Sequence, residues 1–264
     1  MSSGRAAPAL PRRSRHSSAI LLALVMFDWT ILWGKPGLLI LQGLLTTLEL
    51  SAWVLLLAFL IGLVVGTARW LRLSLTEPLC WFYIEFARNT PPVVQILFWY
   101  FSATYVLPTS LFLGLRDVGY EFGAAVVALA IYHGAFIAEV VRAGLNSVPR
   151  GQFDASRALG LGLVQSLHRI ILPQAVRIAL PPIVNEAVSI VKNTSLAMAI
   201  GVTELTYQYK HIDIFLFRGV EALAAVTVIY AAVCLLIAGL GHLLSARISQ
   251  YLARHQVLPV LTSE

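Results

Sequence analysis

Long apolar runs alternate with short polar segments along this chain, and the runs have the length that crosses a bilayer. A helix needs about 20 apolar residues to span the hydrocarbon core, because each residue adds about 1.5 Å. The predicted spans are residues 42–68, 93–107, 122–141, 173–191 and 222–244. The pattern therefore predicts an all-α, polytopic membrane protein with five core transmembrane helices. An aromatic segment, residues 73–87, precedes the second span and is predicted to be an interfacial helix.

The N-terminal apolar stretch has two interpretations. Residues 1–25 are rich in Ser, Ala, Pro and Arg, and the apolar run that follows is interrupted at Asp28. Either residues 18–33 form a sixth, short span, or translation starts at Met26 and residues 1–25 are an untranslated or disordered extension.

Later residues divide into three parts. We expect a periplasmic lead-in at 26–41, the transmembrane domain at 42–247 and a cytoplasmic tail at 248–264. Residues 204–221 are predicted to be a polar loop between the last two spans.

Composition agrees with a membrane protein. The chain is 58% hydrophobic and 12% charged, with a mean hydropathy of +0.80, whereas a soluble domain is nearer half apolar and a quarter charged. The pI near 9.6 is typical of basic residues on the cytoplasmic side of a membrane, so no nucleic-acid partner is expected. Cys80 and Cys234 lie far apart in apolar surroundings, which predicts neither a disulfide framework nor a metal site.

A polar segment separates the third and fourth spans. Pro149 and Gly151 are expected to break the preceding helix. Asp154 is expected in the first turn of a short helix, where a carboxylate suits the positive end of the helix dipole. Gly160 and Gly162 are expected to end that helix.

A second short amphipathic helix is predicted after Gly162. Its apolar face comprises Leu163, Leu167, Ile170 and Ile171. Its polar face comprises Gln165, Ser166, His168 and Arg169. This helix should end near Leu172, because the residue before a proline is pushed out of the α region and Pro173 can open the next helix. The segment is thus predicted to be two short helices in a bent, projecting loop.

Basic residues in the short loops predict the orientation. The side of the polar segment holds Arg69, Arg72, Arg88, Arg142, Arg150, Arg157, Arg169, Arg177, Arg247 and Arg254. The opposite loops hold only Arg116, Lys210 and Arg218. The polar segment and the C-terminus are therefore predicted to be cytoplasmic. The basic N-terminus fits this placement only if residues 18–33 span the membrane or residues 1–25 are untranslated.

The polar segment resembles the hallmark loop of permease subunits of bacterial ABC importers, specifically the polar amino acid uptake family. That loop reads Glu-Ala-Ala, three residues, Gly, nine residues, Ile, one residue, Leu-Pro. Here Asp154-Ala155-Ser156 is followed at the same spacing by Gly160, Ile170 and Leu172-Pro173. Asp replaces the first Glu of the family pattern, and Ser replaces its second Ala.

Further motifs are similar to the amino acid branch, which includes glutamine, glutamate and histidine permeases. These are residues 43–51 with Thr46 and Thr47, Arg88-Asn89-Thr90-Pro91, Gly134-Ala135-Phe136 with Glu139 and Arg142, residues 148–152, and residues 192–196. The resemblance covers roughly residues 27–247. It includes Phe27-Asp28-Trp29, which in similar permeases lies close to the initiator methionine and is the reason to suspect Met26.

The resemblance implies a type I importer transmembrane domain in the bacterial inner membrane, surrounded by lipid. Its expected partners are a cytoplasmic ABC ATPase dimer, a second copy or a related permease, and a periplasmic amino-acid-binding protein. ATP is expected on the ATPase and no cofactor on this chain, which has no Gly-x-x-x-x-Gly-Lys-Ser/Thr motif. The residues assigned to ATPase coupling are Asp154, Ala155, Ser156, Gly160, Leu163, Leu167, His168, Arg169, Ile170, Leu172 and Pro173.

Polar residues within the apolar spans are candidates for the pathway of a polar amino acid. The candidates are Glu186, Lys192, Asn193, Thr194 and Ser195. A satisfied helix break or an interfacial Lys explains residues 192–195 equally well. Glu49 either touches the substrate ammonium group or, as we favour, hydrogen-bonds a neighbouring helix. His133 is expected to pack or to make an interhelical hydrogen bond.

Structural roles are expected for five further residues. Arg88 and Pro91 should cap and kink the second span, Glu139 and Arg142 should form a local ion pair, and Gly151 should break a helix.

Two other function classes are less well supported. A stand-alone secondary transporter or channel would favour an internal inverted repeat with paired broken helices, which the sequence does not show. A membrane-embedded enzyme would need a motif such as His-Glu-x-x-His or Gly-x-Ser-x-Gly, and neither occurs. No catalytic or metal-binding residue is therefore predicted.

Overall fold

The described part of the chain consists of helices joined by short turns, with no strand. A computed structural model describes residues 33–72, 74–106 and 119–255. The helices are α1 (Lys35–Trp70), α2 (Glu77–Asn89), α3 (Pro92–Val106), α4 (Tyr120–Asn146), α5 (Arg150–Ala158), α6 (Leu163–Ser166), α7 (Leu172–Asn193), α8 (Leu205–Leu216) and α9 (Gly219–His255). A π-helical turn, Leu167–Ile171, joins α6 to α7, and a 3₁₀ helix, Thr194–Ile200, follows α7. The expectations for residues 1–32 lie outside the described residues.

Three of these helices have the length and composition to cross a membrane, namely α1, α4 and the part of α9 from Gly219 to Ile248. The second and fourth predicted spans are α3, a shorter helix whose apolar part is Pro92–Ser102, and α7, which carries more polar residues. The five predicted spans thus correspond to α1, α3, α4, α7 and α9. The first starts earlier than residue 42, because a proline in the first turn opens α1 at Lys35.

Helices α1 and α4 pack closely because small residues lie at their contact. A Cβ atom at Gly62 would lie 2.5 Å from Ile137 Cγ2, and one at Gly66 would lie 2.5 Å from the carbonyl oxygen of Ala138. Small residues four positions apart allow the backbones of helices in lipid to approach each other. The α1–α4 pair therefore forms the centre against which α2, α3 and α7 pack.

The prediction of a polar loop at residues 204–221 is wrong, because most of this segment forms α8. The Glu204 carboxylate caps the helix by accepting hydrogen bonds of 2.8 Å from the backbone N–H groups two and three residues later. Leu205 and Ile212 are fully buried among side chains of α1 and α9. The seven-residue spacing of these two apolar residues places them on one helix face, and the polar residues between them hid that signal.

The predicted helix end at Leu172 is also wrong. Leu172 has α-helical backbone angles, φ −58° and ψ −43°, and the chain stays helical from Leu163 to Asn193. The wider π turn explains this, because the Leu172 N–H donates to the Leu167 carbonyl five residues earlier. Such a turn relieves the clash that a proline ring makes with the carbonyl four residues before it. Pro173 is therefore accommodated without a break.

Candidate functional site

The α5–α6 hairpin, residues 150–166, projects from one end of the bundle, called here the loop end. Phe153 on α5 stacks on Trp70 at the end of α1, with ring centroids 6.2 Å apart. Both rings pack on a buried cluster formed by Leu145, Val148, Ile171 and Ala175. The hairpin is therefore attached to α1, α4 and α7 by apolar contacts.

Helix α5 ends in a left-handed turn at Gly160, where φ is +73°. The N–H of Leu161 donates to the Ser156 carbonyl at 3.0 Å, and the N–H of Gly160 donates to the Arg157 carbonyl at 2.9 Å. This pair of bonds is the Schellman arrangement, which satisfies the last carbonyls of a helix and favours glycine at its left-handed position. The buried Ser156 hydroxyl donates to the Phe153 carbonyl at 2.8 Å, so serine is accommodated where the family pattern has alanine.

The residues predicted to couple to an ATPase separate into two sets. The exposed set is Asp154, Ala155, Gly160, Leu163, His168, Arg169 and Leu172. The partly or fully buried set is Ser156, Leu167, Ile170 and Pro173. The first set forms the outer face of the hairpin and its junction, and the second attaches it to the bundle.

Apolar side chains project from the tip of the hairpin. Leu159, Leu163 and Val164 are 72%, 62% and 78% exposed. Clustered apolar side chains on a projecting element are typical of a contact surface. Leu159 and Val164 were missed in the sequence, although their positions on either side of Gly160 and Gly162 place them at the tip.

The start of α5 differs from the prediction. The helix begins at Arg150, directly after Pro149, so Asp154 lies in its second turn instead of its first. Gly151 lies inside the helix and does not break it. The reason is that Pro149 alone sets the extended backbone before the helix.

The predicted faces of α6 are wrong at two positions. Leu163 is exposed, whereas Ser166 is only 3% exposed. Ser166 tolerates burial because its hydroxyl donates to the Gly162 carbonyl at 3.1 Å. Leu163 is free to face outward because it is the first residue of the helix and lies beyond the packed cluster.

A second polar site lies between α4 and α7. His133 Nδ1 is 2.8 Å from Glu186 Oε2, and Asn193 Nδ2 is 3.1 Å from His133 Nε2. An amide nitrogen can only donate, so Nε2 accepts and the Nδ1–H donates to the carboxylate. The interhelical hydrogen bond predicted for His133 is therefore confirmed.

A cavity of about 180 Å³ opens beside this hydrogen-bonded chain. It is lined by Tyr132, His133, Phe136, Glu186, Ser189, Lys192 and Asn193. Three of the five predicted pathway residues meet here. The other two, Thr194 and Ser195, are turned towards their own helix and donate their hydroxyls to the carbonyls three residues earlier, each at 2.7 Å.

Sequence reasoning missed three residues of this lining, Tyr132, Phe136 and Ser189. A spacing signal was present for each. Phe136 follows Tyr132 by one helical turn, and Ser189 lies three residues after Glu186 on the same face of α7.

Glu49 lies on a larger groove of about 530 Å³. Thr46, Trp53 and Leu57 of α1 and Phe122, Gly123, Val126 and Val127 of α4 form its other walls. Within the described residues the Glu49 carboxylate makes no hydrogen bond, so the interhelical bond favoured for it is not found there.

Charged side chains form a network at the loop end. The predicted ion pair is present, with Arg142 Nη2 2.7 Å from Glu139 Oε2. Arg69 also donates to Glu139, and its Nε lies 3.4 Å from Glu77 Oε1. Two guanidinium groups therefore share one carboxylate. Arg88 lies near this network, with its guanidinium carbon 5.3 Å from the centre of the Phe136 ring.

The kink predicted before the second span is confirmed. Helix α2 ends at Asn89, and Thr90 is extended, as expected for a residue that precedes Pro91. The buried Gln95 amide donates to the Ala87 carbonyl at 2.8 Å and joins the two sides of the kink. In the described part of the chain, no group of three or more His, Cys, Asp or Glu side chains is placed to hold a metal ion.

Several known proteins are similar to this chain in sequence or in fold. The chain is similar to the glutamine transport system permease protein GlnP of Escherichia coli K12, with 37% identity over 81% of this chain and 94% of that protein. It is 33% identical to the probable amino-acid ABC transporter permease protein PatM of Vibrio harveyi, over 75% of this chain and 86% of that protein. A crystal structure described as an amino acid ABC transporter with histidines superposes with a TM-score of 0.68 and 31% identity, over 79% of this chain and 94% of that chain.

Residues 58–250 match the family described as "Binding-protein-dependent transport system inner membrane component". This match includes the hairpin, the interior cavity and the charged network of the loop end. The chain therefore belongs to this family of inner membrane permease subunits of ABC importers.

Proposed function

We propose that this permease subunit carries a polar amino acid across the inner membrane, driven by a separate ATPase that docks on the α5–α6 hairpin. The observation that carries the proposal is the hairpin itself, whose exposed face has the family spacing from Asp154 to Pro173 and whose inner face is packed on three helices. The substrate class is supported by the names of the similar permeases.

The loop end is cytoplasmic in this proposal, as is the C-terminus. The excess of arginine on that side supports the orientation. An ATPase dimer then meets the hairpins of two permeases, this chain and either a second copy or a related chain. A periplasmic binding protein delivers the solute at the opposite end, and ATP is bound by the ATPase.

The connection from α6 to α7 gives the hairpin a route to the substrate cavity. From Leu163 to Asn193 the backbone is helical without a break. Glu186 and Asn193, which line the cavity, lie on that same continuous helical segment. A displacement of the hairpin by ATPase closure would therefore move one wall of the cavity relative to α4, as expected for a two-state transporter.

The cavity has the chemistry of an amino acid site. Glu186 and Lys192 offer a carboxylate and an ammonium group, which complement the two charges of a zwitterion. Pockets for drug-sized ligands are about 300–1,000 Å³, so a cavity of about 180 Å³ fits a smaller solute. Polar groups at membrane depth are typical of a transport pathway.

The docking surface is tested with Ala155→Arg, because Ala155 is exposed in the middle of α5 and arginine is a good helix former. We expect the variant to lose co-purification with the ATPase while its unfolding temperature stays unchanged. Ala246→Arg is the matched control, since Ala246 is an exposed helical residue of α9 away from the hairpin. Normal ATPase association of the Ala155→Arg variant would contradict the proposal, as would ATPase-independent uptake.

The cavity is tested by uptake in reconstituted vesicles. Glu186→Gln and Lys192→Gln should each reduce uptake at least tenfold with the ATPase still bound, because each removes one charge that would pair with the solute. Ser195→Ala is the control, since that hydroxyl bonds its own helix. Equal uptake by all three variants would show that the cavity is not part of the transport pathway.

A further inference from the structure

We infer that a basic pocket at the loop end binds the phosphate headgroup of an anionic phospholipid. The pocket has a volume of about 270 Å³ and is lined by Arg69, Trp70, Arg72, Glu77, Arg142 and Asn146. It lies where α1 ends, α2 begins and α4 ends. The inference rests on the proposed function only in that the loop end faces the cytoplasmic leaflet.

The pocket keeps an excess positive charge. The guanidinium groups of Arg69, Arg72 and Arg142 face two carboxylates. Glu139 is shared by Arg69 and Arg142. Glu77 pairs, among the described residues, with Arg69 Nε at 3.4 Å. Arg72 makes no side-chain hydrogen bond or ion pair with any described residue. A phosphate placed here would compensate that charge and accept bidentate hydrogen bonds, the geometry that guanidinium groups favour.

Donor groups remain available on the paired arginines. Arg69 uses its Nε and Nη1 atoms, which leaves Nη2. Arg142 uses Nε and Nη2, which leaves Nη1. Together with Arg72, these groups can donate to one phosphate without breaking the ion pairs of Glu139.

The backbone at Arg72 places its side chain at the end of α1. Its φ is +51°, a left-handed conformation that residues other than glycine rarely adopt. The side chain is exposed at the rim of the pocket.

The surroundings of the pocket on α2 favour a lipid over a soluble anion. Helix α2 contributes Glu77 to the pocket, and Trp81, one helical turn later, lies on the same side of the helix. Leu79, Trp81, Phe82 and Phe86 are 70%, 52%, 63% and 59% exposed. In a membrane protein such a face contacts acyl chains, and tryptophan and arginine mark the headgroup level. Trp81 therefore lies between the headgroup pocket and the other exposed apolar residues of α2, and basic pockets between membrane helices are typical headgroup sites.

The test measures bound lipid on the purified full chain by native mass spectrometry, after exchange into mixed phosphatidylglycerol and phosphatidylcholine micelles. We expect phosphatidylglycerol to be retained preferentially. Arg72→Gln should weaken that retention about fivefold, the size expected for one basic residue at an anionic surface. Asn146→Asp should weaken it by a similar factor, because it adds a carboxylate without removing an arginine. Arg247→Gln is the matched control, since it removes an exposed arginine of α9 outside the pocket.

Several outcomes would overturn the inference. One is equal retention of the two lipids, and another is an equal loss with Arg72→Gln and Arg247→Gln. Displacement of phosphatidylglycerol by millimolar inorganic phosphate would assign the pocket to a free anion. Loss of ATPase association by Arg72→Gln with unchanged lipid retention would assign it to the ATPase. Lipid retention is measured without the ATPase, so failure of the docking proposal would leave this result unaffected.

Discussion

The two ends of the bundle each hold a carboxylate in a network of donors, but the donors differ. At the loop end, Glu139 is paired with the guanidinium groups of Arg69 and Arg142. At the opposite end, Glu204 is fully buried and accepts hydrogen bonds from two backbone N–H groups and from the Tyr230 hydroxyl at 2.6 Å. One network is built from charges at the edge of water, and the other from neutral groups in the interior.

The difference matches two mechanical roles. Helix α8 is fixed at its first turn, where the Leu205 N–H also donates to the Thr47 hydroxyl of α1 at 3.1 Å. Neutral hydrogen bonds of this kind hold one geometry, because they converge on a carboxylate that is fully buried. Charged pairs at a partly hydrated surface can exchange partners at lower cost. We therefore expect the loop end to rearrange during transport and the opposite end to stay rigid.

Removing the shared carboxylate should have the largest effect. Glu139→Ala leaves the Arg142 guanidinium group without its partner and Arg69 with its longer contact to Glu77, which we expect to cost about 3 kcal/mol of unfolding free energy, the low end for a broken buried pair. The measurement is thermal unfolding in lipid nanodiscs followed by circular dichroism. Glu85→Ala is the control, because the hydrogen bond found for that carboxylate among the described residues is with Asn89 of its own helix. A shift no larger than that of the control would contradict the role given to the network.

Removing the hydrogen bonds of Glu204 should have the second-largest effect on the unfolding free energy. Glu204→Ala leaves the first turn of α8 uncapped and removes the 2.6 Å hydrogen bond from the Tyr230 hydroxyl, an expected loss of about 2–3 kcal/mol. Glu204→Gln retains a capping oxygen and should lose about 1 kcal/mol. The same unfolding experiment checks both values. If the Gln variant were as unstable as the Ala variant, the cap would not explain the stability of α8.

The pH dependence of stability sharpens the comparison. Glu204 lies outside the spanning helices, and its burial raises the pKa of its carboxyl above the ordinary value of 4.5, outweighing the hydrogen bonds donated to it. The protonated form is therefore favoured by folding. The wild-type protein should lose unfolding temperature relative to Glu204→Gln as the pH rises from about 4.5 through the raised pKa. If the wild-type unfolding temperature stayed constant or rose relative to that of Glu204→Gln over this pH range, the result would contradict the raised pKa of Glu204.

The exposed ion pair of α8 should have the smallest effect. Lys210 Nζ lies 3.0 Å from Asp213 Oδ2, and the two side chains are 49% and 35% exposed. Solvent screens such a pair, so Lys210→Ala should leave the unfolding temperature unchanged within error. A shift as large as that of Glu204→Ala would mean that α8 is not held mainly by its buried face and its cap.

The sequence was sufficient to predict features that depend on one helix or one continuous segment alone. Apolar run length located the helices α1, α3, α4, α7 and α9, and the spacing from Asp154 to Pro173 located the hairpin. It failed where the deciding contact is with another part of the chain. The buried face of α8 is recognised only when its contacts with α1 and α9 are known.

The prediction that a helix ends at the residue before a proline was wrong at Leu172 for a physical reason. The residue before Pro173 stays helical because a π turn makes room for the ring, and nothing in the local sequence distinguishes that turn from a helix end. Similarly, the interior cavity combines residues 132–136 with residues 186–193. Only the packing of α4 on α7 brings those two segments together.

Hydrogen–deuterium exchange of the permease with and without its ATPase tests the central claim most directly. The account predicts slower amide exchange in the α5–α6 hairpin, residues 150–166, when the ATPase is bound, and unchanged exchange in α8. Unchanged exchange in the hairpin, or slower exchange in α8 alone, would contradict the claim that the ATPase docks on the hairpin.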